Sequence, residues 1–254
     1  MNAERDPFSL EGKRILVTGA SSGIGRQIAI SCSQMGARII MTGRDATRLQ
    51  ATYEELEGQG HAQLAADLAT QEGIDRLVGA CGVIDGLAHA AGMSKLAPFR
   101  MIGRAHLDET FAANTYAPML LTRALLAKKQ VAQGGSLLFV ASIASHIGPL
   151  ASGAYAASKS ALLGMVRSLG MEVAKQGIRA NCLAPGYVRT PLLDGLQGSG
   201  GNMDHLFELT PLGMGEPEDV AYAAVFYLSD ASRWVTRNYA ILDGGFSAPM
   251  DIYA

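Results

Sequence analysis

The chain has 254 residues, 48% of them hydrophobic and 17% charged, which is ample for one sizeable core. Its 21 basic and 23 acidic residues give a net charge of −2, so there is neither a basic field to hold nucleic acid nor a polybasic segment to hold an anionic membrane. No apolar run approaches the roughly 20 residues of a membrane span, and the N-terminal MNAERDPFSLEGKR lacks the apolar stretch of a signal peptide; a cytoplasmic protein is expected.

Strand-like runs alternate with helical patterns along the whole chain. RILVTGA reads as a strand, and the following GIGRQIAISCSQMG as a helix, with Ile24, Ile28 and Met35 at helical spacing. ARIIMTG is a second strand, ATRLQATYEELEGQ (46–59) a helix, and HAQLAAD a short third strand followed by another helix. IDGLAHAAG, SLLFVAS (136–142), IRANCLAPG and YAILDGG complete a set of seven strands, with helices over about 153–175 and over PEDVAYAAVFYLSD between them. Continuous apolar strands between amphipathic helices predict an α/β fold, a doubly wound and mostly parallel sheet covered on both faces. With no linker or break in composition, residues 1–254 are expected to form a single domain. One stretch interrupts the rhythm, LLDGLQGSGGNMDHLFELTPLGMGEP (192–217), and a loop of that length suggests a lid. Cys32, Cys81 and Cys182 are few and far apart, and read as buried thiols. His61, His89, His106, His146 and His205 are scattered, so no metal site is expected.

The first strand–turn–helix unit, RILVTGASSGIGRQIAI, holds Gly19, Gly23 and Gly25. Glycines there let the backbone approach a pyrophosphate and pack the helix tightly, with the helix N-terminus facing the anion. A site specific for NAD commonly ends the second strand with an acid that bonds the ribose hydroxyls. IIMTGRD instead has Gly43 there, followed by Arg44, which would accept a 2′-phosphate. NADP(H) is therefore favoured and NAD(H) stays open, with Asp45 expected as a helix N-cap. Later, YAASK sets Tyr155 and Lys159 at i and i+4 on one helix face, thirteen residues after Ser142 at the end of a central strand.

In order and spacing these segments resemble the short-chain dehydrogenase/reductase family over nearly the whole chain. TGASSGIG is similar to the family's nucleotide turn, which implies that Ser21, Ser22 and Ile24 join the three glycines around the cofactor. AADLA resembles the segment in which an aspartate, here Asp67, contacts adenine beside Leu68. HAAG stands where the family commonly reads NNAG; Ala91 and Gly92 fit, while His89 and Ala90 depart and remove an asparagine that braces the sheet. AANTYAP supplies Asn114, FVASIAS Ser142, and YAASK Tyr155 and Lys159. APGYVRTP, with Pro185, Gly186, Val188 and Thr190, resembles the segment that seats the nicotinamide carboxamide.

The resemblance implies a Rossmann-type oxidoreductase that interconverts a ketone and a secondary alcohol by hydride transfer. Tyr155 would exchange the proton, acidified by the Lys159 ammonium, and Ser142 would hold the carbonyl oxygen. By the same resemblance Lys159 binds the nicotinamide ribose and Asn114 holds a relay water. PLGMGEPEDVA resembles the 3-oxoacyl-[acyl-carrier-protein] reductases and their sugar- and alcohol-dehydrogenase cousins. Gln133 and Met171 occupy positions where the carrier-protein enzymes commonly show arginines. A sugar or polyol dehydrogenase is the alternative substrate reading, and a dinucleotide-sensing binding protein the non-enzyme alternative; a nucleotide-sugar epimerase would normally be longer. His146, Leu150 and Tyr187 are candidate substrate contacts. By analogy with the family a homotetramer is expected, through small and apolar residues on the helices around 105–130 and 153–175.

Overall fold

A computed structural model of the chain describes residues 6–193 and 208–247. Seven strands form one sheet: β1 (Arg14–Thr18), β2 (Arg38–Gly43), β3 (Ala62–Ala65), β4 (Ile84–His89), β5 (Val131–Val140), β6 (Arg179–Pro185) and β7 (Tyr239–Leu242). Their spatial order is β3-β2-β1-β4-β5-β6-β7. Every neighbouring pair is parallel, so the sheet is wholly and not mostly parallel. The order reverses between β1 and β4, which opens a crevice at the strands' carboxyl ends.

The two faces of the sheet follow from the period of two in each strand. Leu16, Ile40, Leu87, Leu137 and Phe139 face one layer, with Leu77 of α3 (Gln71–Cys81), Leu121 and Leu125 of α5 (Ala117–Ala127), and Leu162 and Val166 of α7 (Gly153–Val173). Ile15, Val17, Ile39, Met41 and Leu138 face the other, with Ile28 and Cys32 of α1 (Gly23–Gln34), Leu49 of α2 (Ala46–Tyr53), and Val220 and Ala224 of α8 (Pro217–Leu228). The three cysteines are buried free thiols, as expected. Burial pushes the Cys32 and Cys182 thiols up to about 12, which leaves them inert.

Two elements differ from the sequence pattern. The helix expected over 46–59 ends at Tyr53, because Glu54, Glu55 and Glu57 load negative charge onto the terminus that the helix dipole already makes negative. The chain then turns, and Ser33 Oγ accepts the Glu57 amide at 3.0 Å. The strand expected from 136 begins instead at Val131. Gly134, at φ 78°, and Gly135 hide its first half, where the register with β4 shifts between Ile84 and Gly86. Of the loop expected over 192–217, residues 194–207 lie outside the described residues, His205 among them. Its flanks are tied together: Val188 bridges Gly215, and Arg189 Nε lies 2.9 Å from Glu216 Oε1.

Candidate active site

The crevice between β1 and β4 continues into a cleft of about 590 Å³. Gly19, Ser21, Ser22, Gly23, Ile24 and Gly25 line one side, and Asp67, Leu68, Ala91 and Gly92 another. The glycines are sterically required. At φ 69°, Gly19 lies so close to β4's exit that a Cβ would come within 2.7 Å of Ala91 Cα. A Cβ on Gly25 would meet the Gly19 carbonyl oxygen at 2.3 Å, so α1 packs directly under the turn. Ser22 is the α1 N-cap, and its side chain makes no capping bond, which leaves the first-turn amides directed at the cleft. A backbone cradle at a helix N-terminus fits a dinucleotide pyrophosphate.

At the far end of the cleft, β2 delivers Gly43, Arg44 and Asp45. A Cβ on Gly43 would crowd Ser21, 3.0 Å from its Oγ and 3.2 Å from its Cβ. Arg44 is exposed, and no hydrogen bond or ion pair to it occurs among the described residues. Asp45 caps α2 as expected: Oδ1 accepts the Arg48 amide at 3.0 Å and Oδ2 accepts from Arg48 Nε at 2.9 Å. The Arg48 amide bond, foremost, holds the Asp45 carboxyl below its usual range. Asp67 Oδ1 accepts the Ala69 amide at 3.0 Å, which fixes its carboxylate at the cleft wall beside the buried Leu68.

Asn114 sits in a π-helical turn, Ala112–Tyr116, inserted between α4 (Arg104–Phe111) and α5. The wider turn rotates its amide onto the loop after β4. There Oδ1 accepts the Met93 amide at 2.8 Å, and Nδ2 donates to the Met93 carbonyl at 2.9 Å and to Ser158 Oγ at 3.0 Å. This clamp holds Gly92 in place. A Cβ on Gly92 would lie 3.1 Å from both Asn114 Oδ1 and Lys159 Nζ, so glycine, asparagine and lysine meet at one point.

Lys159 is 5% exposed, and its Nζ donates to the Val140 carbonyl at 2.9 Å. Burial lowers the ammonium to about 8. Tyr155, one turn earlier on α7, faces Ser142 across the loop that follows β5. Burial raises the phenol, and the hydrogen bond with Ser142 partly opposes that rise. The expected acidification of Tyr155 by its cationic neighbour is therefore not the dominant influence here: the lysine's charge is directed at a main-chain carbonyl, and desolvation outweighs it. Ser142 Oγ accepts the Ala144 amide at 3.1 Å, which leaves its own proton available to donate.

His89 replaces the missing asparagine as a brace. Its Nε2 lies 2.9 Å from Thr122 Oγ1, and its ring stacks on Phe139 with centroids 4.7 Å apart. Burial foremost, with Lys159 second, lowers the imidazole to about 3, so it is neutral. On the presumed substrate side, Tyr187 packs edge-on to Phe246 with centroids 5.1 Å apart. His146 is turned toward β7, 5.0 Å from the Tyr239 ring, with Nδ1 2.9 Å from Ser145 Oγ. Leu150 is 96% exposed. Pro185 and Gly186 close β6 against the β7 turn, since a Cβ on Gly186 would lie 2.7 Å from Asp243. Thr190 reaches over the phosphate turn, its Cγ2 3.1 Å from where a Gly23 Cβ would stand, and Val188 is buried beneath it.

Sequence reasoning missed Arg48, Met93 and Glu109, all of which line the cleft. Arg48 was within reach, because it stands three residues after a capping aspartate on the same helix face. Met93 and Glu109 carry no local signal; only the tertiary clamp by Asn114 and the ion pair of Glu109 with Lys95, at 2.8 Å, bring them to the site.

Residues 19–247 match a family model described as enoyl-(acyl carrier protein) reductase. The chain is 34% identical over 251 residues to D-threitol dehydrogenase of Mycolicibacterium smegmatis, covering 94% of this chain and 95% of that one. It is 32% identical over 240 residues to a 3-oxoacyl-[acyl-carrier-protein] reductase of Rickettsia prowazekii, covering 94% and 98%. Among solved structures, a protein from Agrobacterium tumefaciens provisionally assigned as a 2-deoxy-D-gluconate 3-dehydrogenase, with bound NADP, superposes with a TM-score of 0.85 at 32% identity. That match covers 96% of this chain and all of the other.

Proposed function

The chain belongs to the short-chain dehydrogenase/reductase family and is an NAD(P)(H)-dependent oxidoreductase; from that premise we propose that Ser142, Tyr155, Lys159 and Asn114 interconvert a ketone and a secondary alcohol of a small, carrier-free substrate. The observation that carries this reading is the pairing of Tyr155 with Ser142 above a buried Lys159, at the carboxyl ends of β4 and β5. Two hydroxyls so placed can share one carbonyl oxygen.

The bound dinucleotide supplies the hydride. Toward the alcohol, Tyr155 Oη gives its proton to the carbonyl oxygen while Ser142 donates a hydrogen bond to the same atom as negative charge grows on it. Toward the ketone, the phenolate takes the alcohol proton. Lys159 stabilises that phenolate and binds the ribose beside Gly92, and Asn114 fixes the loop that carries Gly92. NADP(H) is the preferred cofactor, favoured by the unpaired Arg44 and by the absence of an acid at Gly43. The cofactor contacts are the glycine turn with Ser21, Ser22 and Ile24, then Arg44, Asp67, Leu68, Ala91 and Gly92, and the Pro185–Thr190 segment. Residues 1–254 act as one catalytic domain, assembled as a homotetramer.

The relatives act on a polyol in one case and on a carrier-borne 3-oxoacyl group in another. Gln133 and Met171 are exposed and uncharged where an acidic carrier would need cations, so a polyol, sugar or free ketone fits better. A panel of polyols, keto sugars and free or thioester-linked ketones, run with both cofactors at several pH values and followed by nicotinamide absorbance, tests the reading. Tight NADPH binding with no turnover across the panel would turn it into a dinucleotide sensor.

A further inference from the structure

The end of β2 offers the cofactor two guanidinium groups and one carboxylate. Arg44 is unpaired among the described residues, whereas Arg48 is held by Asp45, which uses one oxygen on its amide at 3.0 Å and the other on Nε at 2.9 Å. All three residues line the cleft. The Asp45–Arg48 pair is solvent-facing, with side chains 42% and 58% exposed, so its geometry can be exchanged at little cost. It occupies only Nε, which leaves the outer nitrogens of the fork free to donate. Gly43 is crowded by Ser21, so Asp45 is the carboxylate that β2's exit presents here.

We propose that Asp45 and Arg48 form a specificity-determining pair in which the Asp45 carboxylate competes with a 2′-phosphate for the Arg48 guanidinium. Asp45 holds Arg48 beside the cleft, where Arg48 serves with Arg44 as a second donor to the phosphate. The same carboxylate keeps part of that guanidinium for itself and so limits the discrimination between NADP and NAD. The inference rests on the NADP(H) reading and assigns roles to two residues that the glycine turn and Arg44 leave unexplained.

Calorimetric binding of NADP⁺ and NAD⁺ to the full chain tests it without any substrate. Arg48→Ala should weaken NADP⁺ about tenfold, the scale of one charge-assisted hydrogen bond, and change NAD⁺ by less than about twofold. Arg48→Lys, which keeps the charge without the fork, should fall between the two. Asp45→Asn, which retains the cap, should strengthen NADP⁺ about threefold, and that gain should shrink below about twofold in the Arg48→Ala background. If Arg48→Ala leaves the NADP⁺/NAD⁺ ratio unchanged while Arg44→Ala collapses it, the pair has no such role and the cofactor reading stands. If neither arginine moves the ratio, the cofactor reading itself falls. An equal gain from Asp45→Asn with and without Arg48 would mean simple repulsion by the carboxylate, which overturns the competition. Retained NAD⁺ binding reports that each variant is folded.

Discussion

Lys159 places an ammonium in the interior with a main-chain carbonyl as its acceptor and no carboxylate beside it, so its charge is bound at the expense of stability. Its folded value of about 8 lies below the ordinary 10.5. Between those values the unfolded chain holds the proton more tightly than the native one. Stability therefore rises with pH across that window, and the penalty is present in full below pH 8. Lys159→Met is expected to raise stability at pH 7 by on the order of 1–3 kcal/mol in urea unfolding while abolishing turnover; a loss of stability would refute the account of this lysine. Tyr155→Phe should reduce turnover at least about a thousandfold and leave NADPH affinity within about twofold, because the phenol's task is proton exchange. His89 titrates in the opposite region. Its folded value of about 3 against 6.5 unfolded means that stability falls as pH drops from 6.5 toward 3, by about 2 kcal/mol at pH 5 from this residue alone. His89→Asn should flatten that acid limb in a thermal-melt series, and an unchanged limb would place the titration elsewhere. The chemistry-bearing residues were legible because their signals are local: a glycine turn in strand–helix context, and a tyrosine and lysine four apart. The lysine's bond to Val140 was not, since it depends on how α7 lies over β5.

Individual elements show the same division. Apolar runs located all seven strands, because a parallel strand buried on both faces leaves a continuous hydrophobic mark. The first half of β5 escaped notice, since Gly134 and Gly135 break that mark while Val131 still pairs with Ile84. The π-helical turn at Asn114 also escaped, because its cause is the amide's clamp on Met93, twenty-one residues away. Arg179 illustrates a polar group whose purpose only the fold reveals. It is 7% exposed at the start of β6, and Nη1 and Nη2 donate to the carbonyls of Tyr227 and Ser229, at 2.9 Å and 3.1 Å, where α8 ends. A cation there complements the helix dipole and satisfies carbonyls that have no partner in the helix. Arg179→Met should destabilise the chain by about 2–4 kcal/mol, visible as a lower urea midpoint. A neutral result would mean that those carbonyls find other donors.

At the scale of the molecule, the sheet reverses its order between β1 and β4 and so sets cofactor and catalytic residues along one edge of the strands, leaving the outer helices free for other work. Tyr116, Met119 and Leu120, around the start of α5, are exposed apolar side chains, as is Met171 on α7. At the opposite edge, Tyr239 and Ile241 on β7, Tyr222 on α8 and the 91% exposed Trp234 form a second apolar set. Single exposed apolar residues need no explanation, but two clusters on separate faces are what a tetramer with two kinds of twofold contact requires. Light scattering should give four copies of the 26.6 kDa chain. Leu120→Asp, which sets four like charges against one another at the α5 contact, should halve that mass. Ile241→Asp should do the same through the β7 edge, and the two together should yield monomers. A wild-type monomer would dismiss the assembly outright. A wild-type tetramer that survives both aspartates would show that its contacts lie on other surfaces.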